Sequence, residues 1–366
     1  MEYCEARRDP DHMPPATTVS ITHDPFDALR RKLIGLCPAA AAIGYPFLLQ
    51  AFHAAVSPSG GSLSGVRIAG AAILLALAFA APLSGLVSAV WWTAATQPSQ
   101  SDLRARRLAY AAIAVPPLFV FVGVLRGYAV NLLGLPVSDI VVWIAIWLLA
   151  GAAVWSGGDQ PALERTTRTT GTLRVAHGVS AVLITFYVLF HLSNHLSGLI
   201  GPETHAAIMK AGRAVYRAPL SETVLVLALL FQAASGVRLA WHWSSLRTDA
   251  YRIFQIGSGA YLAAFLLAHL NSGLIAARHV YKIETDWAWA AGMPDGLIHG
   301  AWNIRLLPHY ALGVFFILAH LASGLRGVMI AHGTEVTTAN RVWSAGLIGA
   351  ALIATAIVCA LCGMRI

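Results

Sequence analysis

Apolar runs separated by short polar segments dominate the chain. A helix needs about 20 mostly apolar residues to cross a bilayer core. Nine segments reach or approach that length: 33–56, 67–92, 108–126, 139–156, 174–199, 220–243, 254–277, 307–329 and 343–363. The pattern predicts an all-α fold, a polytopic transmembrane helical bundle of about nine spans. Residues 1–32 are polar and contain prolines, and they lack the apolar core of a signal peptide; they read as a short disordered tail.

The spans fall into two similar sets of four. PLSGLVSAVWW from Pro82 in span two resembles AASGVRLAWHW from Ala233 in span six. Tyr45 precedes His53 by the same spacing as Tyr187 precedes His195 and Tyr261 precedes His269. These matches suggest a 4+4 internal duplication plus a terminal helix. The domains are then an N-terminal four-helix half (33–160), a C-terminal histidine-bearing four-helix bundle (172–332) and a terminal transmembrane helix (342–366).

Composition supports the membrane assignment. The chain has 366 residues, 57% hydrophobic and 11% charged, whereas soluble domains are about a quarter charged. The net charge of +8 belongs to helix ends, not to a nucleic-acid surface, and there it meets the lipid bilayer's headgroups. With the N-terminus inside, sixteen Lys and Arg fall on inner segments and nine on outer ones, so the bias favours N-inside. Ala- and Arg-rich usage points to a bacterial inner membrane. Cys359 and Cys362 form a C-A-L-C, but Gly363 stands where a c-type haem site needs His. They read as packing residues.

Histidine changes the picture most. The first half has only His53 inside a span, while the second has His177, His191, His195, His269, His309 and His320 in spans or at their ends. A helix turns about 100° per residue, which puts His177, His191 and His195 on one face of span five. Three spans repeat a phrase: HLSGL (195–199), HLNSGL (269–274) and HLASGL (320–325). A fourth, QAASGV (232–237), has Gln232 in place of histidine. Imidazoles deep in a bilayer are expensive unless paired, hydrogen-bonded or ligating. Depth pairs His195 or His191 with His269 in the outer half, and His177 with His320 in the inner half. The shared phrase favours His195 over His191. Two facing imidazoles suit b-type haem, so one or two haems are expected, with His195, His269, His320 and His177 as iron ligands. Zinc fits less well, because no Cys or carboxylate accompanies the histidines. His205, Lys210, Arg213 and Arg217 in the loop after span five, with Arg278 and Lys282 after span seven, would neutralise haem propionates or bind lipid phosphate. The segment 279–306, with Trp287, Trp289 and Trp302, reads as an interfacial cap over the outer site. His309 reads as interfacial. Gln232 reads as a cross-helix hydrogen bonder, and Arg238 and Arg326 as snorkelling cations.

No span carries Asp or Glu near its centre, which argues against a carboxylate-based pump. Walker, Rossmann and HExxH motifs are absent from the sequence.

Residues 174–330, with their HLxxH and HLxSGL phrases and a basic outer loop, resemble the membrane-anchor cytochrome b subunits of succinate dehydrogenase and fumarate reductase. The resemblance implies a helical bundle that ligates haem b through histidines on different helices. It further implies electron exchange with quinone, and a partner subunit of an oxidoreductase to complete the redox step. Four extra N-terminal spans are not expected of that family. The expected function is therefore a b-type cytochrome-like electron carrier, linked to quinone or a redox partner. The alternative is a haem-free membrane scaffold or lipid-handling protein on the same fold.

Overall fold

The computed structural model describes residues 25–57, 64–94, 98–160, 162 and 170–366. Their regular structure is helical. Eight helices are long and apolar enough to cross a membrane, and Asp139–Trp155 is apolar but shorter. The chain is an integral membrane protein built as an all-α bundle.

The first helix, α1 (Pro25–Gly35), starts inside the segment expected to be a polar tail. Its cations are anchored: Arg31 pairs with Asp102 at 2.7 Å and Lys32 with Asp159 at 3.2 Å. The rest of the expected tail, 1–24, lies outside the described residues. Two spans follow, α2 (Cys37–Val56) and α3 (Gly65–Thr93).

The third span differs from expectation. Residues 108–126 are not one helix but the junction of α4 (Gln100–Ile113) and α5 (Val115–Leu133). Pro116 and Pro117 lack the N–H that a helix interior needs, but a first turn tolerates them. They therefore start α5, and α5 is the span. Ser99 and Asp102 form a reciprocal capping box at the start of α4. Gly134 ends α5 at φ 66°, a left-handed conformation that favours glycine. The last helix of this half is α6 (Asp139–Trp155), expected as a ninth span but shorter than the other eight.

Aromatic rings fill the middle of this half. Tyr45, Phe119, Trp143 and Trp147 meet edge to face with ring centres 5.9, 5.2 and 5.5 Å apart along the series. The Trp143 indole N–H donates to the Ala42 carbonyl at 2.7 Å.

The second half contains α7 (Gly171–Ser197), α8 (Pro202–Tyr216), α9 (Pro219–Trp243), α10 (Ala250–Leu270), α13 (Leu306–Ala331) and α14 (Val336–Leu361). The helix of α10 continues as a π-helix over Asn271–Tyr281. Two short helices, α11 (Trp287–Ala290) and α12 (Gly296–His299), lie between it and α13. Here α7 packs on α9, α9 on α10, α10 on α13, α13 on α14, and α14 back on α7. The terminal helix thus closes a five-helix ring and is not an appendage to a four-helix bundle. The first half closes with α6 directly on α2.

Helix α10 joins the halves, packing also on α3, α4 and α5. Arg106 on α4 fastens the end expected to face inward, called inner below, with the opposite end called outer. Arg106 is 1% exposed and donates to the carbonyls of Trp92, Ser244 and Leu246 at 2.7–3.1 Å. These are carbonyls at the C-terminal ends of α3 and α9, which lack helical donors of their own.

Candidate functional site

The histidines gather at two levels of the five-helix ring. At the outer level, His191 and His195 of α7, His205 of α8 and His269 of α10 line one cavity. The His191 and His269 ring centres are 6.0 Å apart. His191 also lies 4.7 Å from His195, and His195 lies 5.4 Å from His205. The structure therefore turns His191 toward His269 and His195 toward α8. The shared HLxSGL phrase pointed to His195. Local packing explains the difference: Tyr187, one turn earlier, stacks on His191 at 5.5 Å and directs its ring inward. Phe265 likewise stacks on His269 at 5.4 Å.

Glycine placement is mixed. A side chain at Gly273 would meet nothing within 4 Å, and Gly273 lines the cavity. Gly198 instead makes room for the Trp287 ring, which also packs on His205 at 4.8 Å.

The cations expected nearby divide. Arg213, Arg217 and Arg278 line the cavity together with Glu222 and Asp286, but Lys210 does not. Arg213 donates to the Thr285 carbonyl at 2.7 Å and pairs with Glu284 at 3.3 Å. Arg217 donates to the Thr285 hydroxyl at 3.0 Å. Arg278 and Glu222 form an ion pair. Burial, then the nearby Arg213 and Arg278 charges, lowers the Arg217 pKa, which marks a place where an anion would be stabilised. Burial, then Arg213, lowers the His205 pKa despite the opposing Asp286. His205 was expected as a loop cation; it is 2% exposed. The segment 282–305 does cap this level, with Trp289 against the cavity. The C-terminus ties the cap down, as the Ile366 N–H donates to Leu199 O at 2.9 Å and Arg365 lies over Trp287.

At the inner level, two histidines are held alike. His177 Nδ1 is 2.7 Å from the Ser235 hydroxyl, and His320 Nδ1 is 2.9 Å from the Ser258 hydroxyl. Each serine donates its single proton to a helix carbonyl, Phe231 and Gln255 respectively. With the serine proton on the carbonyl, Nδ1 would be the donor and Nε2 would keep its lone pair. Each serine is followed by a glycine whose absent Cβ would touch the imidazole Cε1, at 3.5 Å for Gly236 and 3.2 Å for Gly259. Gln232 spans to α7, donating to the His177 carbonyl at 2.7 Å and the Ser180 hydroxyl at 2.6 Å. Arg326 does not reach outward as a free cation; it bonds Asn340 at 2.8 Å and stacks on Tyr251.

His309 was expected at the interface but is 2% exposed, wedged 4.6 Å from Phe265 and 5.4 Å from Tyr310. It shares a face with His320, eleven residues or three turns on, and that spacing was visible in the sequence.

Chemically, neither level suits a bare metal ion: among the described residues no group of three or more His, Cys, Asp or Glu could hold one. A haem would ask for no more than two imidazoles, and His191 and His269 offer two from different helices to one cavity. That cavity encloses about 240 Å³, below the roughly 300–1,000 Å³ of typical ligand pockets, so the donor types suit haem and the enclosed space does not match its size. No family model, curated protein or solved structure matches the chain.

Proposed function

We propose that this protein is a b-type cytochrome-like electron carrier of the membrane, with haem held between α7 and α10 at the outer level and a second site at the inner level. The observation that supports this reading is the meeting of His191 and His269 at one cavity, with His177 and His320 each held by a serine elsewhere in the ring. The inner pair is tethered through Nδ1, which leaves Nε2 as the ligand atom, as second-shell hydrogen bonds do in metal sites. Haem would supply a one-electron ferric/ferrous couple. The chain's part would be to hold it through His191 or His195 with His269, and through His177 with His320. Arg213 and Arg217 would take the propionates, while the Trp287–Trp289 segment keeps water out. The resemblance of 174–330 to succinate dehydrogenase and fumarate reductase anchors supports the same reading. Quinone or a partner oxidoreductase subunit would complete the redox step, and an N-inside bacterial inner membrane is the expected setting.

The haem-free scaffold or lipid-handling reading has one observation in its favour. Arg213 and Arg278 already have acidic partners, and the outer cavity is small. Single alanine variants separate the two readings through haem-to-protein ratio. His269→Ala and His191→Ala should each lower the ratio of the purified protein by about one haem in two. His320→Ala should do the same at the inner level, and His195→Ala should do so least. A ratio near zero for the wild-type protein purified from haem-sufficient cells supports the scaffold.

A further inference from the structure

A second cavity, about 560 Å³, lies on the other side of His269, between α5 and the 282–305 segment. It depends on the N-terminal half, since Val120, Val124 and Arg126 of α5 form one wall. Its floor is buried His309, whose ring makes no hydrogen bond to any described residue and whose Nδ1 is sealed from solvent. Ser272, on the π-helix, also faces this space. The walls are the rings of Trp289, Trp302 and Tyr310. The rim is exposed and carries one cation, Arg126, and one anion, Asp295.

Each feature constrains a ligand. The volume falls within the roughly 300–1,000 Å³ of small-molecule pockets. Aromatic walls favour a flat ring. Of the two His309 ring nitrogens, Nδ1 is sealed away from the cavity and only Nε2 is left for a ligand; a hydroxyl or carbonyl there would give the ring the partner it lacks. Opposite charges on the rim cancel, which favours a neutral molecule. An exposed polar rim admits it from the outer aqueous face. We propose that this cavity binds a neutral oxygenated aromatic, of the size of a phenol or naphthol, with its oxygen on His309. Nothing in the site requires iron, so the proposal stands apart from the haem reading.

The probes are 1-naphthol and naphthalene, titrated into the full chain in phosphatidylcholine nanodiscs and followed by tryptophan fluorescence. Empty nanodiscs give the lipid-partition background. The wild type should bind 1-naphthol saturably and at least tenfold more tightly than naphthalene. His309→Leu should abolish that preference, and His309→Gln, which keeps a polar head at the reach of Nε2, should restore most of it. Val124→Trp, which fills the cavity from α5, should remove saturable binding of both probes. Should His309→Leu lose its helical circular dichroism, Val124→Trp decides alone. The proposal fails if the wild type shows only lipid partition or no preference for 1-naphthol. It fails equally if Val124→Trp binds as the wild type does.

Discussion

At the residue scale, serine and aromatic neighbours aim the histidines. The sequence showed which spans hold imidazoles. It did not show that Ser235 and Ser258 hold them, because a Ser-Gly pair in an apolar helix reads first as close packing. It also favoured His195 over His191. The deciding contacts come from Tyr187, one turn away, and from Trp287, ninety residues on, and only folding brings Trp287 close. The Ser258 tether is testable. Ser258→Ala takes the serine hydroxyl from the buried His320 Nδ1 and leaves it the Gln255 carbonyl, which should cost about 1 kcal/mol. Thermal unfolding in detergent, followed by circular dichroism, should show a lower midpoint for Ser258→Ala. Ser258→Thr, which keeps the hydroxyl, should unfold near the wild type.

At the element scale, the apolar pattern overlaps all eight helices long enough to span and adds α6, which falls short; its other errors fell where prolines or distant partners overrode hydropathy. Residues 108–126 are apolar throughout, yet two adjacent prolines divide them. The polar segment at 25–32 forms the helix α1 because Asp102 and Asp159, far away in sequence, take its cations. Helices α3 and α4 meet at Gly85, where an added Cβ would lie 2.6 Å from the Ala109 carbonyl oxygen and 2.9 Å from the Ile113 nitrogen. Backbone cannot yield as a flexible side chain does. Gly85→Ala should therefore destabilise the protein by about 1–3 kcal/mol, read as a lower unfolding midpoint. Gly70→Ala, on the same helix with nothing within 4 Å, should be close to neutral and serves as the control. The π-helix after His269 has wider turns than an α-helix, and such segments often occur at functional sites. It places Gly273 on the outer cavity and Ser272 on the second cavity from one stretch of backbone. Nothing in NSGLIAARHVY announces that geometry, because its hydropathy pattern suits an α-helix too.

At the scale of the whole molecule, the two halves have different interiors. Rings of Tyr45, Phe119, Trp143 and Trp147 fill the first, while histidines and a cavity occupy the second, where α14 joins the ring. The outer cap brings a pH dependence with it. Burial lowers the His205 pKa below its unfolded value of about 6.5. The unfolded state then binds the proton more readily, so His205 contributes no instability above pH 6.5, and stability falls as pH drops from there toward the folded pKa. Thermal midpoints measured between pH 7.5 and 5 should decline, and His205→Asn should flatten part of that decline. An unchanged slope in His205→Asn would remove His205 from the account.

The central claim is that paired imidazoles in this ring hold haem. The most direct measurement is the reduced-minus-oxidised absorption spectrum of the full chain, purified from membranes of haem-sufficient cells. The account predicts a Soret band and a sharp reduced α-band, both weakened in His269→Ala and in His320→Ala. A colourless wild-type protein, or bands that survive both substitutions at full strength, would contradict it.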